Sequence, residues 1–450
     1  MKTPTATIPS WVRPQFEAFE RGLNGAAARP LHTLRKEALE RFGTLGLPTT
    51  KNEEWKYTNI ARLARTDYQL AGDSSGTPLV EGDLEPFAVP GFSGRRLVFC
   101  DGRFVPSLSA DIADVRGVSI APLASVLGDT DSSVGKLVSE HLGEVARFDD
   151  DSFVALNTAF LRDGVVLHVE KGVRLESPLE LFFLMGEHAA PTATHNRLLV
   201  VLEEGSSATI LETCAGMGAS EYFVSSVAEV VVRENASLTH VKIQRESGSA
   251  VHVASIAASL ARDSRYTHFN YSFGGALVRN DIAPVLNGEN IEANLYGVSI
   301  LNAEQHVDNH TVIDHAQPNS VSNELYKGVY GDRSNGVFSG TIIVREDAQK
   351  TNAFQSNQSL LLADTATVET KPQLKIWADD VKCSHGATVG QLDENALFYL
   401  RARGIPLHEA KNMLIRAFAN DVAEKLPDEA LHQYLDRLVF EKLAETLPRS

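Results

Sequence analysis

The apolar positions of this chain change rhythm three times. Over residues 1 to about 70 they recur at helical spacing. Phe16, Phe19 and Leu23 share one face of a segment that Ser10 is placed to cap, and Leu31, Leu34, Ala38, Leu39 and Phe42 share one face of the next. Pro30 near the start of that second segment and Gly43 at its end predict its limits, because Pro suits a first helical turn and Gly suits an exit. Residues 71–92, AGDSSGTPLVEGDLEPFAVPGF, are rich in Gly, Pro, Ser and acid and read as a linker. Two apolar runs follow, RRLVFC (95–100) and RFVPSL, with Asp101-Gly102 between them as a hairpin turn. DSFVALNTAFLR (151–162) predicts a helix capped by Asp151 or Ser152.

From about 164 to 390 the pattern becomes one of short strands and polar turns. VVLHV (165–169), LLVVL (198–202), AEVVV (228–232), TIIV (341–344) and LLLA (360–363) are examples. The turns share a form: EEGSSAT ends at Thr209, RENASLT at Thr239 and ARDSRYT at Thr267. GDRSNG (331–336) and REDAQKTN (345–352) keep the style and break the period. A strand–turn–strand unit recurring near thirty residues predicts a solenoid, in which each coil buries its faces on its neighbours. The same spacing fits a β-sandwich or barrel. Asn, Ser and Thr in QSNQSLLL and NSVSNEL suit stacked turns that satisfy one another's amides.

The last sixty residues are helical again. Ala410, Met413, Leu414, Ala417 and Phe418 form one stripe, and Leu431, Tyr434, Leu435 and Leu438 form another. Gly404 and Pro406 separate the first of these helices from the one before it, and Pro427-Asp428-Glu429 opens the last. These rhythms divide the chain into a helical region with its linker (1–92), a β-rich region (93–390) whose repeating core starts near 164, and a helical domain (391–450).

Composition narrows the function. The chain has 450 residues, 43% hydrophobic and 22% charged, enough apolar material for a sizeable core. Lys and Arg number 42 against 58 Asp and Glu, a net charge of −16 with no compensating basic run, which argues against nucleic acid as a partner. No apolar run is long enough to span a membrane, and the first twenty residues show no apolar secretory core. The three cysteines, Cys100, Cys214 and Cys383, are far apart, so a reducing, cytoplasmic location is expected and a disulfide framework is not.

The stretch DDVKCSHGATVG (379–390) carries the clearest chemistry. Cys383 and His385 are two apart, so an extended strand turns both to one face. Thiolate and imidazole are competent ligands for zinc or for iron–sulfur species, but two ligands do not complete a site. The remaining ligands would come from distant residues or another subunit; otherwise Cys383 is a structural thiol and His385 a hydrogen-bonded side chain. The other histidines, His240, His252, His268, His306, His310 and His315, gather in the repeat region, where stacked coils can align them. Cys100 and Cys214 read as structural. Gly72-Asp73-Ser74-Ser75-Gly76 matches a nucleophile elbow in letters, but a polar segment cannot hold its serine on a strained turn. Gly135-Lys136-Leu137 is not a phosphate loop, so no nucleotide site of that kind is expected.

Two blocks carry a resemblance. KNEEWKYTNI (51–60) and DDVKCSHGATVGQLDENALFYLRARGI (379–405), together with the β-rich middle and the helical tail, resemble the SufB/SufD family of the SUF iron–sulfur cluster assembly machinery. Glu53-Glu54-Trp55-Lys56-Tyr57-Thr58 and the scarcity of cysteine favour its SufD side. The resemblance implies a mainly β fold: a right-handed parallel β-helix flanked by N-terminal and C-terminal helices. It implies a non-enzymatic scaffold that pairs with SufB through the β-helices and docks SufC, an ABC-type ATPase, through the C-terminal helices. SufC would hydrolyse ATP and open the SufB interface through those helices. It further implies a transient iron–sulfur cluster at the SufB interface, held by His385, with a cysteine from SufB and with Cys383 as the weaker candidate. No tightly bound cofactor is expected on the chain alone, and a homodimer is an option for it in isolation. The tail stripe is then the expected ATPase surface: Met413, Leu414, Ala417 and Phe418, flanked by Arg401, Arg403, Lys411 and Arg416. A SufB-like main scaffold and a β-helix polysaccharide lyase or hydrolase are the competing readings.

Overall fold

The computed structural model describes residues 7–23, 30–72, 79–90, 92, 94–109, 116–129 and 131–446. Residues 73–76 of the nucleophile-elbow match lie outside them. The chain opens with helices α1 (Val12–Arg21), α2 (Pro30–Leu45) and α3 (Ala61–Arg65) and a short strand β1 (Gln69–Leu70). Then come β2 (Arg95–Cys100), β3 (Arg103–Phe104), β4 (Val118–Pro122), and helices α4 (Leu123–Val126), α5 (Ser133–His141) and α6 (Ser152–Ala159).

From there the chain winds. β5 (Val165–Val169), β7 (Thr192–Leu202), β9 (Tyr222–Val232), β11 (Val251–Leu260), β13 (Leu277–Leu286), β15 (His306–His315), β17 (Asn335–Val344) and β19 (Thr367–Ile376) lie side by side in one sheet. β6 (Leu179–Met185), β8 (Ser207–Gly216), β10 (Ser237–Arg245), β12 (Arg265–Ser272), β14 (Glu292–Leu301), β16 (Val321–Tyr330), β18 (Asn352–Leu361) and β20 (Lys382–Gly390) lie in the other. Each strand pairs in parallel with the strand two places on, so the molecule is a parallel β-solenoid of about eight turns. Three helices follow: α7 (Glu394–Ala402), α8 (Leu407–Ala423) and α9 (Glu429–Thr446).

The turn pattern explains why the coils stack. Thr209, Thr239 and Thr267 are register partners on adjacent strands. In the corners before them Gly205, Asn235 and Asp263 take φ of 69°, 57° and 60°. This left-handed conformation admits Gly freely, and Asn and Asp at least cost among the rest. Ser206 and Ser264 then turn inward, and each hydroxyl donates to a carbonyl three residues back. Asp332 and Lys350 (φ 49° and 60°) play the corner role in the later turns that break the period.

Both faces of the sheets are covered over most of their length. Leu181, Leu198, Val200, Ile210, Val230, Leu238, Ile256 and Leu286 fill the interior. Outside the first sheet, Trp11, Phe16, Phe42, Phe153 and Phe160 pack on Ala193, Phe223, Val251 and Val253. Outside the second, Ile415, Ala419, Val422, Leu435 and Leu438 pack on Val241, Ile243, Phe269 and Tyr271. β7 and β9 are therefore buried at every position, as parallel strands between two layers must be. Part of the interior is polar. Glu212 lies 2.8 Å from His240, His252 Nδ1 lies 2.8 Å from Glu246, and Lys242 Nζ donates to His252 Nε2 (2.9 Å) and Asn280 (3.1 Å). Such groups stay buried because each charge finds a partner.

Several expectations need correction. Ser10 does not cap α1, whose first turn has no side-chain cap; its hydroxyl instead reaches Asp67. α2 runs through Gly43 to Leu45, and Gly46 (φ 62°) ends it by donating to Phe42 O. NSVSNEL and QSNQSLLL lie largely on β16 and β18, where they form side-chain ladders: Asn323 to Asn294 at 2.9 Å and Gln355 to Glu324 at 2.6 Å. Within the segment read as a linker, residues 87–89 are anchored, with Val89 buried in the cluster that includes α9 and Phe87 O accepting from Tyr434 Oη at 2.6 Å.

Candidate functional site: the unpaired end of the solenoid

Among the described residues, β19 and β20 each have one strand neighbour. Their far edges are unpaired, and most of β20 is exposed. Exposed apolar side chains collect there: Ile376, Trp377 and Val389, with Phe398 of α7 nearby in sequence. The last coil therefore ends the solenoid without covering it.

Cys383 and His385 lie on β20, in register with Ala353 and Gln355 of β18. Ala353 and Gln355 face inward, so the cysteine and the histidine continue the inner wall to its open end. Cys383 is half-buried against Ile342, Val344, Ala348 and Ala353. Burial pushes its thiol up from the usual value, which disfavours the thiolate. His385 is exposed. No cluster of three or more His, Cys, Asp or Glu capable of holding a metal occurs among the described residues. The pair thus places one thiol and one imidazole on an accessible edge, too few to complete a metal site by themselves.

The other two cysteines lie away from this edge, Cys214 buried and Cys100 partly so. Burial pushes the Cys100 thiol up to about 12, and Cys214 lies buried 3.5 Å from Glu212 with its thiol pushed far up. His240 and His268 are register partners with ring centroids 4.8 Å apart.

In the tail, the helical period held while the buried side shifted. α8 buries Ala410, Ile415, Ala419 and Val422. Met413 and Ala417 are exposed, and Lys411 and Leu414 are half-buried. Phe418 turns toward the solenoid, where Lys327 Nζ lies 4.3 Å from its ring centre. Arg401 and Arg403 are exposed at the end of α7, Arg403 lying over Tyr399. Arg416, expected to flank a free surface, pairs with Asp436 of α9. Between α8 and α9, His408, Met413 and Phe440 help line a groove of about 620 Å³.

The structure also shows what the KNEEWKYT block does. The buried Arg279 guanidinium lies over the Trp55 ring, its carbon 4.2 Å from the ring centre, and Glu54 O accepts from Arg279 at 2.7 Å. Arg279 also pairs with Asp281 (2.6 Å) and Asp308 (2.5 Å). Thr58 Oγ1 donates to Asp308, Glu54 pairs with His310 at 2.7 Å, and Glu53 pairs with Lys371 of β19. Burial alone would depress His310, but Asp281 and Glu54 outweigh it and hold the imidazole up at about 9. The block is a clasp tying the N-terminal region to β13, β15 and β19. Sequence reasoning used these letters as a signature without their purpose, because their partners lie more than 220 residues away.

With this geometry in view, the comparisons with known proteins agree. The model of the SufBD core domain of SUF system cluster assembly matches residues 183–418, and that of the SufBD N-terminal region matches residues 14–181. An iron–sulfur cluster assembly SufBD family protein of Synechocystis is 33% identical over 90% of this chain and 89% of its own length. The iron–sulfur cluster assembly protein SufD of Escherichia coli is 32% identical over 92% of each chain, and that of Bacillus subtilis 28% identical over 92% and 94%. The chain belongs to the SufB/SufD family and is of the SufD type.

Proposed function

We propose that this chain is a non-enzymatic scaffold subunit in SUF iron–sulfur cluster assembly. It pairs with SufB through the unpaired end of the solenoid and docks the SufC ATPase on its C-terminal helices. The observation that carries this reading is the incomplete donor pair, Cys383 and His385, on a sheet edge open to another chain. An unpaired parallel edge with exposed apolar neighbours is suited to a second subunit's edge. A ligand set completed by that subunit keeps the cluster transferable, since separating the two chains removes part of its ligand set. His385 is the main donor from this side because it is exposed, whereas the Cys383 thiol must first lose its proton. Met413, Phe440 and the groove beside them supply apolar surface for the ATPase.

The test is His385→Ala in the co-expressed three-protein complex. We expect unchanged co-purification and about 10-fold less iron retained after anaerobic reconstitution, the loss of one ligand from a minimal set. Iron content equal to wild type would remove His385 from the site and, with it, the shared-cluster reading.

A further inference from the structure

Leu295, Glu324, Gln355 and His385 are register partners on β14, β16, β18 and β20. They form one inward-facing file that runs from the interior to the open end. Glu324 and Gln355 are buried. Gln355 Nε2 donates to Glu324 Oε2 at 2.6 Å. That bond fixes the carboxamide: its nitrogen is turned back toward the interior, and its oxygen is left over. Gln355 Oε1 is buried and has no partner among the described residues. A buried carbonyl oxygen without a donor is costly, so such atoms are rarely left idle. The next side chain along the file is His385, one strand spacing of about 4.8 Å away, and a ring N–H is the donor it can offer.

We propose that Gln355 is the positioning residue of His385. Its Oε1, unbonded among the described residues and one strand spacing from the ring, is placed to accept one ring N–H, which would fix the tautomer and leave the other nitrogen free as a donor. Glu324 serves as the anchor that keeps the carboxamide from flipping. Metal-binding histidines generally need such a partner for the second nitrogen, because it sets ring orientation and raises donor strength. The inference rests on His385 being a ligand and adds the residue that prepares it.

The experiment uses the chain in complex with SufB and zinc(II) as the probe, its affinity read by competition with a chromophoric chelator. His385→Ala reports the underlying reading: zinc affinity equal to wild type would overturn that reading and this one together. If His385→Ala weakens zinc binding, Gln355→Met tests the proposal alone. It removes the acceptor at similar length, and we expect zinc affinity to fall about 10- to 100-fold. Gln355→Glu keeps an acceptor, sharing one proton with Glu324, and should restore most of the loss. Asn357→Leu alters the same coil two residues along, where the register partner is Ala387, and should leave affinity unchanged. Wild-type affinity in Gln355→Met, no recovery in Gln355→Glu, or an equal loss in Asn357→Leu would each overturn the assignment.

Discussion

The two ends of the solenoid begin from the same kind of strand and finish in opposite ways. At the first end β4 runs antiparallel along β5, β3 folds back on β2, and Ile120 and Leu167 are buried across the closing pair. At the last end β19 and β20 stop with one edge bare and Val389 about half exposed. A repeat array that had to be soluble by itself would finish with a polar cap at both ends. The difference is therefore one of burial: the first coil is packed over and the last is left exposed, as the proposed pairing would require.

Truncation to alanine at the two ends should expose this difference most strongly. Leu167→Ala removes methylenes from a closed core and should cost about 2–5 kcal/mol in chemical denaturation. Val389→Ala should stay within about 0.5 kcal/mol. Comparable losses at both ends would mean that the last coil is as well packed as the first. Next in size, Val389→Lys should leave the chain's own denaturation midpoint nearly unchanged and weaken pairing with SufB at least about 10-fold, because a lysine on a sheet edge blocks added strands. Calorimetric titration of the two subunits decides it, and unchanged affinity would move the interface elsewhere.

The smallest effect concerns the clasp, the N-terminal element that reaches β19. His310 binds its proton more tightly when folded (about 9) than when unfolded (about 6.5). Its stabilisation is therefore complete below about pH 6.5 and is lost as pH rises through about 9. Hydrogen exchange at residues 53–58, corrected for intrinsic rates, should accelerate several-fold between about pH 7 and 9.5. His310→Gln should flatten that profile. A flat profile in the unaltered chain would place the clasp's strength in Arg279 and Trp55 alone.

The solenoid was legible because its rules are local. Gly205, Asn235 and Asp263 announce corners by conformation, and Thr209, Thr239 and Thr267 repeat because stacked coils place them side by side. The Asp101-Gly102 hairpin and the Asp151 cap follow from two or three residues each, and both formed as expected. The shared strand of Cys383 and His385, and hence their common face, was local too. What escaped was decided at long range. The buried side of α8 depends on where β14, β16 and α9 lie, so the stripe read from spacing was turned by about one position. Trp55 finds its cation on β13, and Gln355 gains interest only when Glu324 and His385 are stacked on either side.

The register files constrain how the chain can change in length. Removing one residue inside a strand reverses which side chains face the interior, and the ladders beyond that point lose their partners. Removing a whole turn leaves the files shorter but intact. Additions at a corner outside the left-handed position leave them untouched. Related chains should therefore differ in length by complete coils or by bulging corners. The strands between Thr209 and Thr267 should keep their spacing as though counted.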